Sequence, residues 1–381
     1  MHETIPLFRI DADDRDVEYA TRSIRRGSHW ANGPFVDEFE ERIADYLGVE
    51  HAVVVNSGTS ALVTALVAHD VGPGDEVVVP SFTFIATANA VRLAGATPVF
   101  ADIEPETFGL DPDSVRECIG PETAAILPVH PYGGACRIEE LVALAAEHDL
   151  LLVEDAAEVL GADSNGKPLG TFGHSGALSF CQNKIATTGE GGAVVTNDPE
   201  VARNARLFRS HGRASERYFD SAQTGRYVQL GANLRMADVV AAIGCAQMER
   251  VEDLVAGRRA AATRLNEGFA DVDGVRPHTS PSGRHVYQLY TVELARGVDR
   301  EALISRLADR NIASKVYWDP AVHQSEYYLG DDESLRVPLS VTDDVAGRVL
   351  TLPMFPGLTE TETSRVVDAV DEALVEQREV A

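Results

Sequence analysis

HAVVVN (His51–Asn56), EVVVP (Glu76–Pro80), TPVFAD (Thr97–Asp102), AAILPVH (Ala124–His130) and LLLVED (Leu150–Asp155) form a series of short apolar runs. Each is rich in β-branched or aliphatic residues and too short for a helix of ordinary length. Helical patterns separate them: one from near Thr59, one through Ala86, Ala90 and Leu93, a short one from Asp113, and one over Ile138–His148. The turn GPGD (Gly72–Asp75) precedes the second run. Short apolar runs alternating with helices predict a mainly parallel sheet covered on both faces, an α/β fold. In such a sheet ligands sit at the carboxyl ends of the strands. Gly176–Phe180 and Ala193–Asn197 read as two more strands, antiparallel or hairpin-linked.

Ahead of the sheet, Val17, Ala20 and Ile24 recur at helical spacing before Gly27, and Val36, Phe39, Ile43 and Tyr46 before Gly48. After Arg235 the pattern changes. Two helices run from Met236 to about Phe269, followed by the loop PHTSPSGRH (Pro277–His285) and the strand VYQLYTVEL. A helix from Asp299, the strand ASKVYW (Ala313–Trp318) and a helix over Thr359–Glu376 complete a smaller α+β unit. We expect a large domain over 1–250 and a small one over 251–381.

The 381 residues carry 60 Asp plus Glu against 33 Lys plus Arg, a net charge of −27. Nucleic acid and anionic membrane surfaces need a basic footprint, so neither is an expected partner. At 44% hydrophobic the chain can build a substantial core. The N-terminus lacks the basic start and apolar run of a signal peptide, and no stretch is long enough to span a bilayer. Cys118, Cys136, Cys181 and Cys245 show no metal-type spacing and read as reduced thiols of a cytoplasmic protein. Lysine occurs only at 167, 184 and 315. A GC-rich genome and adaptation to high salt account for this equally well.

Three segments carry chemistry. Asn56-Ser57-Gly58-Thr59-Ser60 lies where a strand turns into a helix, so free N–H groups, the helix dipole and hydroxyls make an anion site. Alone, it reads more simply as an ordinary N-cap. Glu154-Asp155 ends a buried strand, and the acid facing the crevice suits a protonated ring nitrogen. Alone, it reads as a cap at Asp155 with Glu158 closing a capping box. The third segment, Ser179-Phe180-Cys181-Gln182-Asn183-Lys184-Ile185-Ala186-Thr187-Thr188-Gly189, puts one of three lysines in an apolar stretch. Burial there favours the neutral amine, a nucleophile toward an aldehyde. A phosphate cradle, a carboxylate and a Schiff-base lysine are together what pyridoxal 5′-phosphate requires.

WANGPFVDEFEERIADYLGVEHAVVVNSGTSAL, VGPGDEVVVPSFTFIATANAV, GATPVFADI, PVHPYG, VEDAAEVLGA, SFCQNKIATTGEGGAVVT, GANLRM and LPMFPGLT follow one another along nearly the whole chain. In this order they resemble the DegT/DnrJ/EryC1/StrS family of sugar aminotransferases. The resemblance implies fold type I and a homodimer with shared active sites. It implies that Lys184 binds the cofactor and that Asp155 faces the pyridine nitrogen. Phe84 would stack on the ring, Ser57, Gly58, Thr59 and Ser179 would hold the phosphate, and Asn233 would reach it from the neighbouring subunit. Glu158 stands where most members carry glutamine beside the phenolic oxygen, and in this is similar to the perosamine-synthase branch. Trp30, Asn32, Lys315 and His323 fall in segments that contact substrate in relatives; ordinary surface or packing roles suit them as well. His130 and Tyr132 are open between facing the cofactor and packing. Arg213, after SHG, is a further candidate anion contact. The implied reaction moves an amine from glutamate to a nucleotide-linked keto sugar, a 4-keto-6-deoxyhexose by preference. The alternatives are a sugar dehydratase, which in this family replaces the lysine with histidine, and a non-catalytic regulator.

Overall fold

The computed structural model describes residues 3–214, 225–330, 334 and 336–380. Helices α1 (Asp14–Arg26) and α2 (Pro34–Leu47) precede the strand β1 (His51–Val55). The alternation then runs α3 (Gly58–Ala68), β2 (Glu76–Pro80), α4 (Ala86–Ala94), β3 (Thr97–Ala101), α5 (Pro112–Cys118), β4 (Thr123–Ile126), α6 (Ile138–Glu147) and β5 (Leu151–Asp155). A small hairpin, β6 (Asp163–Ser164) with β7 (Lys167–Pro168), leads to β8 (Ser175–Ser179) and β9 (Gly192–Thr196). Helices α7 (Pro199–Phe208), α8 (Asp238–Met248) and α9 (Val251–Phe269) follow.

These strands form a seven-stranded sheet in the order β1-β9-β8-β5-β4-β2-β3. The contacts from β8 through β5, β4 and β2 to β3 are all parallel. Strand β9 runs antiparallel to both of its neighbours, β1 and β8. The all-apolar strands are explained by two cores. Val54, Val78, Val99, Leu152 and Leu178 join one buried cluster, with residues of α2, α6 and α8. Val53, Val55, Val77, Val79, Val153 and Ala177 join the other, with residues of α3, α4 and α7. Successive strand residues point to opposite faces, so a sheet covered twice needs an apolar residue at every position.

The C-terminal part adds β10 (Val275–Pro277), β11 (Tyr290–Leu294), α10 (Arg300–Asp309), α11 (Ser340–Ala346), β12 (Val349–Leu352) and α12 (Glu360–Val380). The three strands form an antiparallel sheet, β10-β11-β12. Its core takes Ala261, Leu265 and Phe269 from α9 and Val366, Val370 and Leu374 from α12, and it also holds Ile5. Val251, Leu254 and Val255 at the start of α9 belong to the large core. Among the described residues no helix is long and apolar enough to cross a membrane, and all four cysteines are free thiols.

Two expectations need correction. Helix α1 forms, but Val17 and Ile24 are 65% and 55% exposed, and the buried face is Asp16, Tyr19 and Ser23. The neighbouring α8 region offers polar partners instead: Gln247 and Arg250 bond Asp16, Glu249 bonds Tyr19, and Asp238 bonds Ser23. The segment Ala313–Trp318 is not a strand. It makes one bridge, Lys315 to Thr351, and then leaves the sheet edge as Trp318 enters an aromatic cluster with Phe82 and Tyr132.

Candidate active site

The parallel topology aims the carboxyl ends of β1, β2, β4, β5 and β8 at one edge of the sheet, where Ser57, Ser81, His130, Asp155 and Ser179 follow or end them. This is where ligands bind in open α/β sheets.

Ser57 caps α3, its hydroxyl accepting the N–H of Ser60 at 3.1 Å. The N–H groups of Gly58 and Thr59 lie ahead of the first intrahelical bond, from Ala61 to Ser57, and are available to an anion. Gly58 is packed against the end of β8: a Cβ there would lie 2.8 Å from Ser179 Cβ and 3.0 Å from its hydroxyl. The helix end and the Ser179 hydroxyl therefore share one small space, which suits a phosphate group.

Asp155 closes β5 and is buried. One carboxylate oxygen accepts the Thr87 hydroxyl at 2.8 Å, the other the Ala157 N–H at 3.2 Å. Burial pushes its pKa up from the usual carboxylate range, opposed by those hydrogen bonds and the Lys184 charge. A cation held against it would relieve this cost, so the site fits a protonated heterocycle. No helix begins at Asp155, since the next residues form turns. Glu154, one residue earlier, faces the other way. It is fully buried and accepts N–H groups from Gly170, Phe172 and Gly173 at 2.8, 2.6 and 2.7 Å. His130 Nε2 lies 3.0 Å from it. His130 Nδ1 accepts the Cys136 N–H at 3.3 Å, which leaves the proton on Nε2, directed at Glu154. His130 and Glu154 thus hold each other and a backbone turn.

Lys184 follows β8 in the turn closed by its N–H to Cys181 O at 2.9 Å. Its side chain is 14% exposed, and Nζ lies 3.2 Å from Glu158 Oε1. Glu158 Oε2 accepts the Tyr132 N–H at 2.9 Å. The Lys184 loop is braced by Gln288, whose Nε2 donates to Asn183 O at 2.7 Å, and by Gln247, which accepts the Thr187 N–H at 3.4 Å. Thr87, Gln247 and Gln288 had no local signature, because each acts across 60 residues of chain or more.

Ser57, Gly58, Thr59, Asp155, Glu158, Ser179 and Lys184 thus lie at one end of the sheet. Phe84, after β2, is 58% exposed, while its neighbour Phe82 is buried. Trp30, Asn32, Asn233 and Lys315 are exposed, and among the described residues none of their side chains bonds Lys184, Glu158 or Asp155. Asn233 pairs through its backbone with Ser210, beside Leu234, whose carbonyl accepts the Asn56 N–H at 2.9 Å. Lys315 Nζ sits 4.8 Å from the Tyr317 ring centroid. Arg213 and Arg235 both donate to the Ser210 hydroxyl. His323 lies between Ser81, at 2.7 Å from Nδ1, and Asp343, at 3.3 Å from Nε2. Ser81 is fully buried and also accepts the His323 backbone N–H at 3.0 Å, so it packs His323 in place.

The sequence pattern of the DegT/DnrJ/EryC1/StrS aminotransferase family matches residues 11–371. A GDP-perosamine synthase of Caulobacter vibrioides is 40% identical over 373 residues, covering 96% of this chain and 97% of that one. The solved structure of Helicobacter pylori PseC, an aminotransferase involved in the biosynthesis of pseudoaminic acid, superposes with a TM-score of 0.91 at 27% identity, covering 98% and 100% of the two chains. S. venezuelae DesV in complex with a ketimine intermediate gives 0.89 at 34% identity, covering 97% and 98%. With the family pattern matched over nearly its whole length and relatives 34–40% identical along it, the chain belongs to the DegT/DnrJ/EryC1/StrS aminotransferase family.

Proposed function

We propose that this pyridoxal-phosphate-dependent sugar-nucleotide aminotransferase takes glutamate as donor and a nucleotide-linked 4-keto-6-deoxyhexose as acceptor, in the manner of a GDP-perosamine synthase. The observation that carries the reading is the Lys184–Glu158 contact at 3.2 Å beside the buried Asp155. The Caulobacter relative and the glutamate at position 158 support the choice of sugar.

Bound pyridoxal phosphate supplies an electron sink for the carbon that loses or gains the amine. Lys184 is the amine that would hold the cofactor and would move the proton at that carbon. Glu158 keeps Nζ on the ring's side of the site. Asp155, oriented by Thr87 and Ala157, holds the heterocycle protonated. The α3 N–H groups with Ser57, Thr59 and Ser179 hold the phosphate. Phe84 would stack on the ring, and Asn233 of a second copy would reach the phosphate. Trp30, Asn32, Lys315 and His323 line the sugar-nucleotide pocket.

The homodimer is supported by the exposed apolar side chains Val17, Ile24, Trp30 and Leu230. We place the domain boundary near Arg250, at the start of α9, whose first turns still pack in the large core while its later ones pack with α12. Four unpaired thiols fit the reducing cytoplasm.

Purified enzyme given glutamate and a panel of GDP-, UDP- and dTDP-linked 3-keto and 4-keto sugars tests the proposal. We expect release of 2-oxoglutarate with a 4-keto-6-deoxyhexose and none from Lys184→Ala. Turnover restricted to 3-keto sugars would overturn the choice of substrate.

A further inference from the structure

Tyr132 follows β4 with φ at 60°, a backbone conformation costing a bulky residue on the order of 1–3 kcal/mol. Burying its ring alone requires no such backbone. The conformation is imposed by residues of the C-terminal part: Leu289 N–H donates to Tyr132 O at 3.2 Å and Val286 N–H to Gly133 O at 2.8 Å. Gly133, at φ 105°, has no room for a side chain, since a Cβ would lie 2.7 Å from Gln288 N. This turn aims the Tyr132 N–H at Glu158 Oε2, 2.9 Å away.

The same residue reaches a second segment. Its ring stacks on Trp318 at 5.3 Å and 12°, and its hydroxyl donates to Tyr317 O. Trp318 in turn meets Phe82 edge-on at 5.5 Å, two residues before Phe84. One side chain and its own backbone N–H therefore connect the segment carrying Lys315 with the carboxylate that holds Lys184.

We propose that Tyr132 is a positioning residue that couples the Lys315–Trp318 segment to the Glu158–Lys184 pair, so that the placement of this segment sets the orientation of Glu158. The proposal rests on the aminotransferase reading above. It acts through Glu158: with one oxygen fixed by Tyr132, only the other faces Lys184.

The test uses holoenzyme with Trp318→Leu, Glu158→Gln and both together, reading the pH midpoint of the bound cofactor's visible absorption band. Trp318→Leu is expected to move the midpoint by about half a pH unit, roughly threefold in proton affinity, in the same direction as Glu158→Gln. In the Glu158→Gln background it should no longer move it. An equal shift in both backgrounds, or no shift in a variant that melts cooperatively, overturns the coupling. Should Trp318→Leu not fold, Tyr132→Phe removes only the hydroxyl. It should move the same midpoint in the same direction in the wild-type background and leave it in place in the Glu158→Gln background; an unmoved midpoint overturns the coupling. The titration needs no sugar, so its failure leaves the aminotransferase reading standing. A holoenzyme with no visible band would overturn that reading and the coupling with it.

Discussion

Lys184 Nζ lies 3.2 Å from Glu158 Oε1, and the other oxygen of Glu158 is occupied by the Tyr132 N–H. A carboxylate accepts at both oxygens, whereas glutamine accepts at one and donates from the other side. Glu158→Gln therefore keeps only one of the two contacts in its present polarity. We expect kcat to fall about tenfold, the scale of a charge-assisted hydrogen bond replaced by a neutral one, with an altered pH–rate profile and little change in melting temperature. Steady-state rates across pH check this.

Gly58→Ala sets a methyl group 2.8 Å from Ser179 Cβ. Ser179 ends β8 and is held by the sheet, so it yields little. We expect weaker retention of the cofactor, by about tenfold or more, and a stability cost of about 1–3 kcal/mol from overpacking. Dialysis followed by cofactor assay, with thermal melts of the apo form, separates the two effects.

Asp155 has a pKa raised by burial, so between its ordinary pKa and the raised one the folded state binds more protons than the unfolded state. Stability contributed by this site therefore falls as pH rises through that window. Asp155→Asn should raise the melting temperature of the apo-protein at neutral pH while lowering the affinity for cofactor. A lower apo melting temperature would contradict the assignment of Asp155 as a site residue held at a cost to folding.

The loop Pro277–His285 carries two buried histidines. Burial lowers His278 from 6.5 to about 4 and His285 well below 6.5. A depressed histidine contributes stability above its unfolded pKa that is lost as pH falls toward the folded one. For His278 the drop is worth about 3 kcal/mol at 1.36 kcal/mol per unit. Denaturant melts between pH 7 and 4 should show this loss, and His278→Gln should flatten it. A slope unchanged in the variant would contradict it.

The sheet was legible because HAVVV, EVVVP and LLLVED each carry consecutive apolar residues, AVVV, VVVP and LLLV, without polar alternation, as a sheet covered on both faces requires. The candidates at Asp155 and the Ser57–Thr59 turn came from their place at the ends of such strands, and Lys184 from being one of three lysines, set in an apolar stretch. The face of α1 was not. Its apolar stripe, Val17 and Ile24, stays exposed in the single chain, while Asp16 and Ser23 are buried against polar partners more than 200 residues away. Tyr132 was visible as a candidate, but its role was not. Its role depends on a left-handed turn fixed by residues 286–289, and nothing in PVHPYG by itself indicates φ at 60°. Glu154 and Asp155 are neighbours with one chemistry in sequence, and only the strand's alternation sends one into a turn of backbone N–H groups and the other to the site.

Lys184 as the cofactor's anchor can be tested cleanly, because lysines occur only at 167, 184 and 315. Borohydride reduction of the holoenzyme fixes the cofactor to the amine that holds it, and peptide mass mapping then locates the label. The account predicts the added mass on the peptide containing Lys184 alone. Label on Lys167 or Lys315, or an unlabelled Lys184 in a protein that still turns over, would contradict it.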